Sequence, residues 1–378
     1  MSMEKEKFSL KDHLFNAEKV TFLADAISNV YPSFEKNAFE KEIVAAFPNL
    51  ELKERIAHIR QCLKKYLPSD YQEAVAVILK ALPPPLDENL TDDDFGDFIH
   101  APYNDFVAYY GCDTANLVFS LAALKEITKR FSAEDSIRFF INAFPHETMQ
   151  TLLEWSKDSN YHVRRLCSEG TRPKLPWSQK INILPETALP ILNLLFADKT
   201  RYVTRSVANH LNDIAKIQPD LVLKTLKNWQ KTKQQSEKEM NFICKHATRT
   251  LVKLGNPEAL ALLGFGDNKG LIISDLQHEK SVKVGEKLAF SFSLFSEIEK
   301  PLMIDYLVHF QSKQGTMSNK KVFKLQSINA RENSTFNIAK KHTFKADMST
   351  RQLYAGTHKI EIQVNGGVMA SFEFELVI

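Results

Sequence analysis

The chain has 378 residues, 44% hydrophobic and 25% charged, and 49 Lys and Arg against 46 Asp and Glu give a net charge of +3. These are the proportions of an ordinary soluble globular protein, long enough for two or three domains, and the net charge by itself argues for no partner. No apolar run approaches the roughly 18 residues of a membrane span, and the charged start MSMEKEKFSLKDHLF has no apolar h-region, so neither a membrane anchor nor an export signal is expected.

Up to about Gly270 the pattern is helical. Apolar residues recur at three- and four-residue spacing, as in Ile43, Ala46, Phe47 and in Leu121, Leu124, Ile127, Phe131. Prolines at 32, 48, 68, 83–85, 102, 145, 185, 219 and 257 cut this stretch into short helices. Asp87 to Asp97 carries six acids and no Lys or Arg, whereas Lys199 to Lys253 carries twelve Lys or Arg against four acids. Such asymmetry suits phosphate binding, and equally suits a solvated helix surface. The cysteines (Cys62, Cys112, Cys167, Cys244) show no CxxC or Cys/His metal spacing and read as reduced, mostly packed thiols of a cytoplasmic protein.

Tyr161 to Trp177, YHVRRLCSEGTRPKLPW, is the densest segment: Arg164, Arg165, Arg172 and Lys174 surround one acid, Glu169. It lies in a repeat. Asp158, Val163, Arg165 and Glu169 align with Asp198, Val203, Arg205 and Asn209 at a shift of 40, and a second such shift reaches Ile243, Lys245 and Arg249. A period of 40 with paired helices predicts HEAT-like units. The Asp is expected to cap the second helix of each unit, the Val to be core, and the cation to point off the core into a row.

From about Ile272 the period changes to two. Leu288, Phe290, Phe292, Leu294 form one alternating set, followed by Leu302 to Phe310, Ile360 to Val364 and Phe372 to Ile378. Turn signals at Val284-Gly285 and Asn365-Gly366-Gly367 separate such runs, which predicts an immunoglobulin-like β-sandwich with no disulfide, since this region has no cysteine. The expected fold is thus multidomain α plus β: an all-α HEAT-like solenoid over 1–270 and a β-sandwich over 271–378.

Nearly end to end, the chain resembles the AlkC branch of the AlkC/AlkD-type DNA alkylation-repair glycosylases, in the variant with a C-terminal immunoglobulin-like domain. The blocks LKDHLFNAEKV, FPNLELKERIAHI, LPPPLDENLTDDDFGDFIHAPYNDFVAYYG, LKEITKRFSAEDSIRFFI, HVRRLCSEGTRPKLPW and VTRSVANHLNDIAKIQPD carry the resemblance. It departs from the family where Asp135-Ser136 replaces an expected Phe-Ala and Phe139 an expected Pro. The resemblance implies excision of N-alkylated bases, chiefly 3-methyladenine, from double-stranded DNA, without full base flipping. It also implies a DNA-gripping role for the sandwich, for which a passive accessory domain is the alternative.

Hydrolysis of a cationic N-alkylated base needs stabilisation of an oxocarbenium-like sugar and placement of a water, tasks suited to carboxylates kept ionised by nearby cations. Glu134 and Glu169 match the family's carboxylates. Arg138, four residues after Glu134, is a possible same-face helix partner, and Arg165 and Arg172 flank Glu169. Trp177, which follows Pro173 and Pro176 in an expected exposed loop, could stack on a sugar or base; Trp155 and Tyr161 are lesser candidates, Trp155 more suited to the core. Arg138, His162, Arg164, Arg165, Arg172, Lys174, Arg201, Arg205, Asn209, Lys245 and Arg249 are candidate DNA contacts, with Asn212 and Asp213 as braces. No cofactor, metal or Schiff-base lysine is indicated, so base hydrolysis without strand scission is expected, from a monomer with no obligate protein partner. The competing readings are a catalytically silent nucleic-acid-binding module and a protein–protein scaffold.

Overall fold

A computed structural model describes residues 9–87, 89, 95–317, 319–346 and 352–378. Within the acidic stretch from Asp87 to Asp97, Glu88, Asp92, Asp93 and Asp94 lie outside the described residues. The chain forms two compact units, Met1–Ile214 with Trp229–Ile243, and Ala215–Asn228 with Cys244–Ile378.

The first unit is built of short helices whose starts are written into the sequence. Asn16 accepts a bond from the Lys19 amide and Asp70 one from the Glu73 amide, while Glu51 and Glu54 form a reciprocal capping box. Pro102 and Pro145 stand in the first turns of their helices, where a missing N–H is harmless. Leu23, Ile27, Phe39, Ile43, Ile59 and Leu63 are fully or almost fully buried between the first of these helices.

The repeat holds, with two corrections. The helices Tyr161–Glu169 and Arg201–Ala215 start 40 residues apart, and Val163 and Val203 are both fully buried. The cap, however, is Asn160, which accepts from the amides of His162 and Val163. Asp158 instead orders the preceding turn through the Asn160 amide and pairs with Lys125, as Asp198 does through Thr200 and Arg164. Each aspartate therefore ties its repeat to a cation of the one before. The second correction concerns the third copy: its helix, Glu237–Ala247, ends before Arg249, which opens the separate short helix Arg249–Lys253.

Among the described residues the second unit carries eight strands: β1 Leu271–His278, β2 Ser281–Lys283, β3 Lys287–Ser296, β4 Lys300–Phe310, β5 Asn319–Ala330, β6 Ser334–Thr343, β7 Gly356–Val364 and β8 Gly367–Val377. They form a three-stranded sheet in the order β1-β3-β6 and a five-stranded sheet in the order β2-β8-β7-β4-β5. The expected alternating sets are the buried faces of β3, β4, β7 and β8, and their side chains make one apolar core; Ile378 lies beyond β8 and is exposed. Asn365 (φ 43°) and Gly366 (φ 81°) supply the two left-handed residues of the β7–β8 turn. All four cysteines are free, three of them buried. Among the described residues, no helix is long and apolar enough to cross a membrane.

Candidate active site: a buried cluster of glutamates and arginines

Glu134 and Glu169 come together on one arginine. Glu169 is the last residue of the Tyr161–Glu169 helix, and Glu134 stands in the turn before the helix Ile137–Ala143. Arg165, one helical turn before Glu169, donates from Nη1 to Glu134 Oε2 at 2.8 Å and to Ser132 Oγ at 3.0 Å, and its Nη2 lies 3.9 Å from Glu169 Oε2. Its guanidinium also covers the Tyr202 ring, 4.4 Å from the centroid. The partner expected for Glu134, Arg138, is a correction: Glu134 is not yet helical and pairs across the repeat.

Glu169 is 5% exposed and fully engaged. Its Oε1 accepts from Arg172 Nη1 at 2.5 Å and its Oε2 from Ser206 Oγ at 2.6 Å. Burial by itself would raise its pKa, but Arg165 and Arg172, with the Ser206 and Arg172 hydrogen bonds, outweigh this and hold it below its ordinary value. Arg172 in turn donates from Nε (3.0 Å) and Nη2 (2.8 Å) to Asp213 Oδ2, so the bracing role expected of Asp213 is what the geometry gives. His210 donates from Nδ1 to the Ser168 carbonyl at 3.0 Å, and burial lowers its pKa to about 4, leaving it neutral.

Four of the expected surface contacts are corrected, for one physical reason: their side chains are buried inside the fold. Arg138 has no accessible surface and donates to the carbonyls of Gln179, Gly170 and Arg172. Arg164 is buried on Asp198 and the carbonyls of Asp158 and Ser159. Arg165 is shared by the glutamates, and His162 is buried against the Tyr161 ring. In the Tyr161–Glu169 helix the cation after the repeat's Val, Arg165, is therefore not a surface contact but the centre of the site.

The remaining candidates stay nearer the surface. Lys174 and Lys245 are exposed; Arg205, Asn209 and Arg249 are half-buried, and Arg249 bonds the His246 carbonyl. Arg201 pairs with Glu239 and covers the Phe242 ring at 3.8 Å. Trp177 is 86% exposed, as its proline-flanked loop suggests, whereas Trp155 and Tyr161 are buried. Ser132, Ser206 and Tyr202 complete the cluster and are not marked as site residues by the sequence pattern. Ser206 carried a usable signal, a polar residue on the buried face of a helix directly after Arg205.

The family model described as "Uncharacterised protein YhaZ, C-terminal Ig-like domain" matches residues 273–378. An uncharacterised protein of Bacillus subtilis (strain 168), YhaZ, is 34% identical over 368 residues, covering 96% of this chain and 98% of its own length. The alkylpurine DNA glycosylase AlkC of Pseudomonas fluorescens, solved bound to DNA containing an abasic site analog, is 33% identical, with a TM-score of 0.85 over 98% of this chain and all of that one. Fold and identity agree over almost the whole length, and the chain belongs to the AlkC-type DNA alkylation-repair glycosylases, in the variant that carries a C-terminal immunoglobulin-like domain.

Proposed function

We propose that this protein is a monofunctional glycosylase that hydrolyses the N-glycosidic bond of N-alkylated, cationic bases in double-stranded DNA, chiefly 3-methyladenine. The observation that carries this is the paired carboxylates: Glu134 and Glu169 meet on Arg165, and Arg172 joins Glu169 to Asp213. A developing sugar cation is attracted to such a centre, and the arginines keep the glutamates ionised beside phosphate.

In the reaction the bond from C1′ to the base breaks heterolytically and its electron pair leaves with the base, which departs neutral. The positive charge on C1′ and the ring oxygen is met by the carboxylates. A water then adds to C1′ and gives up its proton, leaving an abasic site in an intact strand. The base need not be protonated, because alkylation has already made it cationic, and it need not be fully flipped out. Trp177 stacks on the exposed nucleotide, and Lys174, Arg201, Arg205, Asn209, Lys245 and Arg249 supply phosphate contacts. Residues 1–270 form the glycosylase domain and 271–378 the accessory domain, whose exposed Lys320, Lys321, Lys324 and Lys341 suit a second grip on the duplex.

The test is release of 3-methyladenine from methylated DNA. Glu169→Gln is expected to lose about 100-fold or more of this activity while retaining DNA binding; full activity in the variant removes Glu169 from the mechanism. The closure of Glu169 on Ser206 and Arg172 favours the competing reading, a catalytically silent nucleic-acid-binding module. Wild-type protein that binds DNA steeply with salt but releases no base would establish it.

A further inference from the structure

The loop that follows Glu169 carries both Arg172, which closes the charged cluster, and Trp177. Trp177 is in the left-handed region at φ 68°, where a large side chain persists only if its surroundings hold it. Three groups outside the loop do so. The buried Arg138 guanidinium ties both ends together, donating to the Gly170 carbonyl at 3.0 Å and the Arg172 carbonyl at 2.8 Å on one side and to the Gln179 carbonyl at 2.6 Å on the other. Asn142 fixes the exit, donating to the Lys180 carbonyl and accepting from the Asn182 amide, both at 2.9 Å. Lys53, exposed on the helix Leu52–Tyr66, reaches across to donate from Nζ to the carbonyl of Trp177 itself. The buried Leu175 pins the loop from within, and its carbonyl accepts from the Ser178 amide at 3.3 Å to close the turn around Trp177.

The result is an aromatic ring with almost all of its surface in solvent on a backbone held at every side. Holding such a group costs ordering entropy before any ligand arrives, and that cost is then absent from binding. We propose that Lys53 is a positioning residue: by clasping the Trp177 carbonyl against the Arg138-anchored loop, it keeps the indole in its DNA-stacking orientation in the free protein. The inference rests on the glycosylase reading for what the ring meets, though the clasp itself does not.

The protein has three tryptophans, and Trp155 and Trp229 are buried, so the exposed Trp177 can be followed separately. In protein labelled with 5-fluorotryptophan, its 19F resonance is assigned by Trp177→Phe. Lys53→Met is expected to shift and sharpen that resonance while the other two stay in place, and Lys53→Arg to restore it. In single-turnover release of 3-methyladenine, Lys53→Met should raise the half-saturating DNA concentration about five- to tenfold with the saturated rate unchanged, and Lys53→Arg should bring it back. A Trp177 resonance unmoved in Lys53→Met overturns the proposal, even if affinity falls, because Lys53 would then be a phosphate contact. A moved resonance with unchanged half-saturation overturns it too. If wild-type protein releases no base, the glycosylase reading fails, while the 19F spectra and titration with abasic-site DNA still decide the clasp.

Discussion

The Tyr161–Glu169 helix buries all nine of its residues, Arg164, Arg165 and Glu169 among them, whereas β3 buries every second residue and all of these but Ser296 are apolar. The strands follow the economical rule for a packed layer: hydrocarbon inward, polar groups out, and few charges to desolvate. The helical unit violates it, hiding Arg55, Arg138, Arg164, Arg165, Glu169 and Asp213 almost completely. Burying those charges is tolerable only because each arginine meets carboxylates or carbonyls and each acid meets an arginine, and such arrangements seldom improve on a hydrophobic core of equal volume. A site that must present a fixed negative centre to a cation gives a reason to bear that cost; a sandwich with no such task does not. In the strands the one buried acid among the described residues, Asp305, has its pKa raised by burial to about 6, with Lys324 and Lys253 opposing only in part.

The sharpest way to break this contrast is to remove one buried charge. Arg165→Met leaves Glu134 and Glu169 facing each other without their shared cation, and should cost about 3–5 kcal/mol of stability in urea unfolding. Loss of less than 1 kcal/mol would show that the cluster is solvated rather than desolvated.

Each region holds a buried histidine that responds to acid, but in the sandwich the raised pKa of Asp305 opposes it between about pH 6 and 4. His210 in the helical unit and His342 in β6 are each lowered to about 4, chiefly by burial, with Lys340 and Lys321 adding to the effect at His342. A folded pKa below the unfolded 6.5 means that only the unfolded chain takes up a proton between the two values. The stability linked to each histidine is therefore complete above about pH 6.5 and lost as pH falls toward 4, on the order of 3 kcal/mol apiece. Unfolding measured from pH 7 to 4 should show this slope, and replacing either histidine by Gln should flatten it. Glu169, whose pKa is lowered, adds its loss only below the ordinary carboxylate range.

The smallest effect comes from Gly366. A Cβ there would lie 2.5 Å from Leu260 Cδ1 and 2.7 Å from the Gly255 carbonyl oxygen, in a residue at φ 81°. Gly366→Ala should lower stability by about 1–3 kcal/mol through clash and strain together. Gly285→Ala, at φ 96° with open space around it, carries strain alone and should cost less in the same thermal melts.

The alternation of β3, β4, β7 and β8 was readable because side-chain direction in a strand is fixed by residue parity. β5 was not: its burial follows no clean alternation. The repeat of 40 was readable from Val163 and Val203, and Glu169 from its two flanking arginines. Arg165 was misread as a surface cation because helical spacing shows which side a residue faces but not what packs there. On that side lie Ser132 and Glu134, some thirty residues earlier in the chain.

Local physics thus determined the helix starts, the strand faces, the exposed Trp177 and the short-range pairing of Glu169 with Arg165 and Arg172, since each depends on neighbours within a turn or two. Only the tertiary structure decided that Glu134 shares Arg165, that Asp213 braces Arg172, and that Arg138 and Lys53 hold the Trp177 loop. Those contacts join residues 31, 41, 32 to 41 and 124 positions apart. Over such separations the pairing is set by how helices stack, and a buried charge shows its partner only once that stacking has removed water from around it.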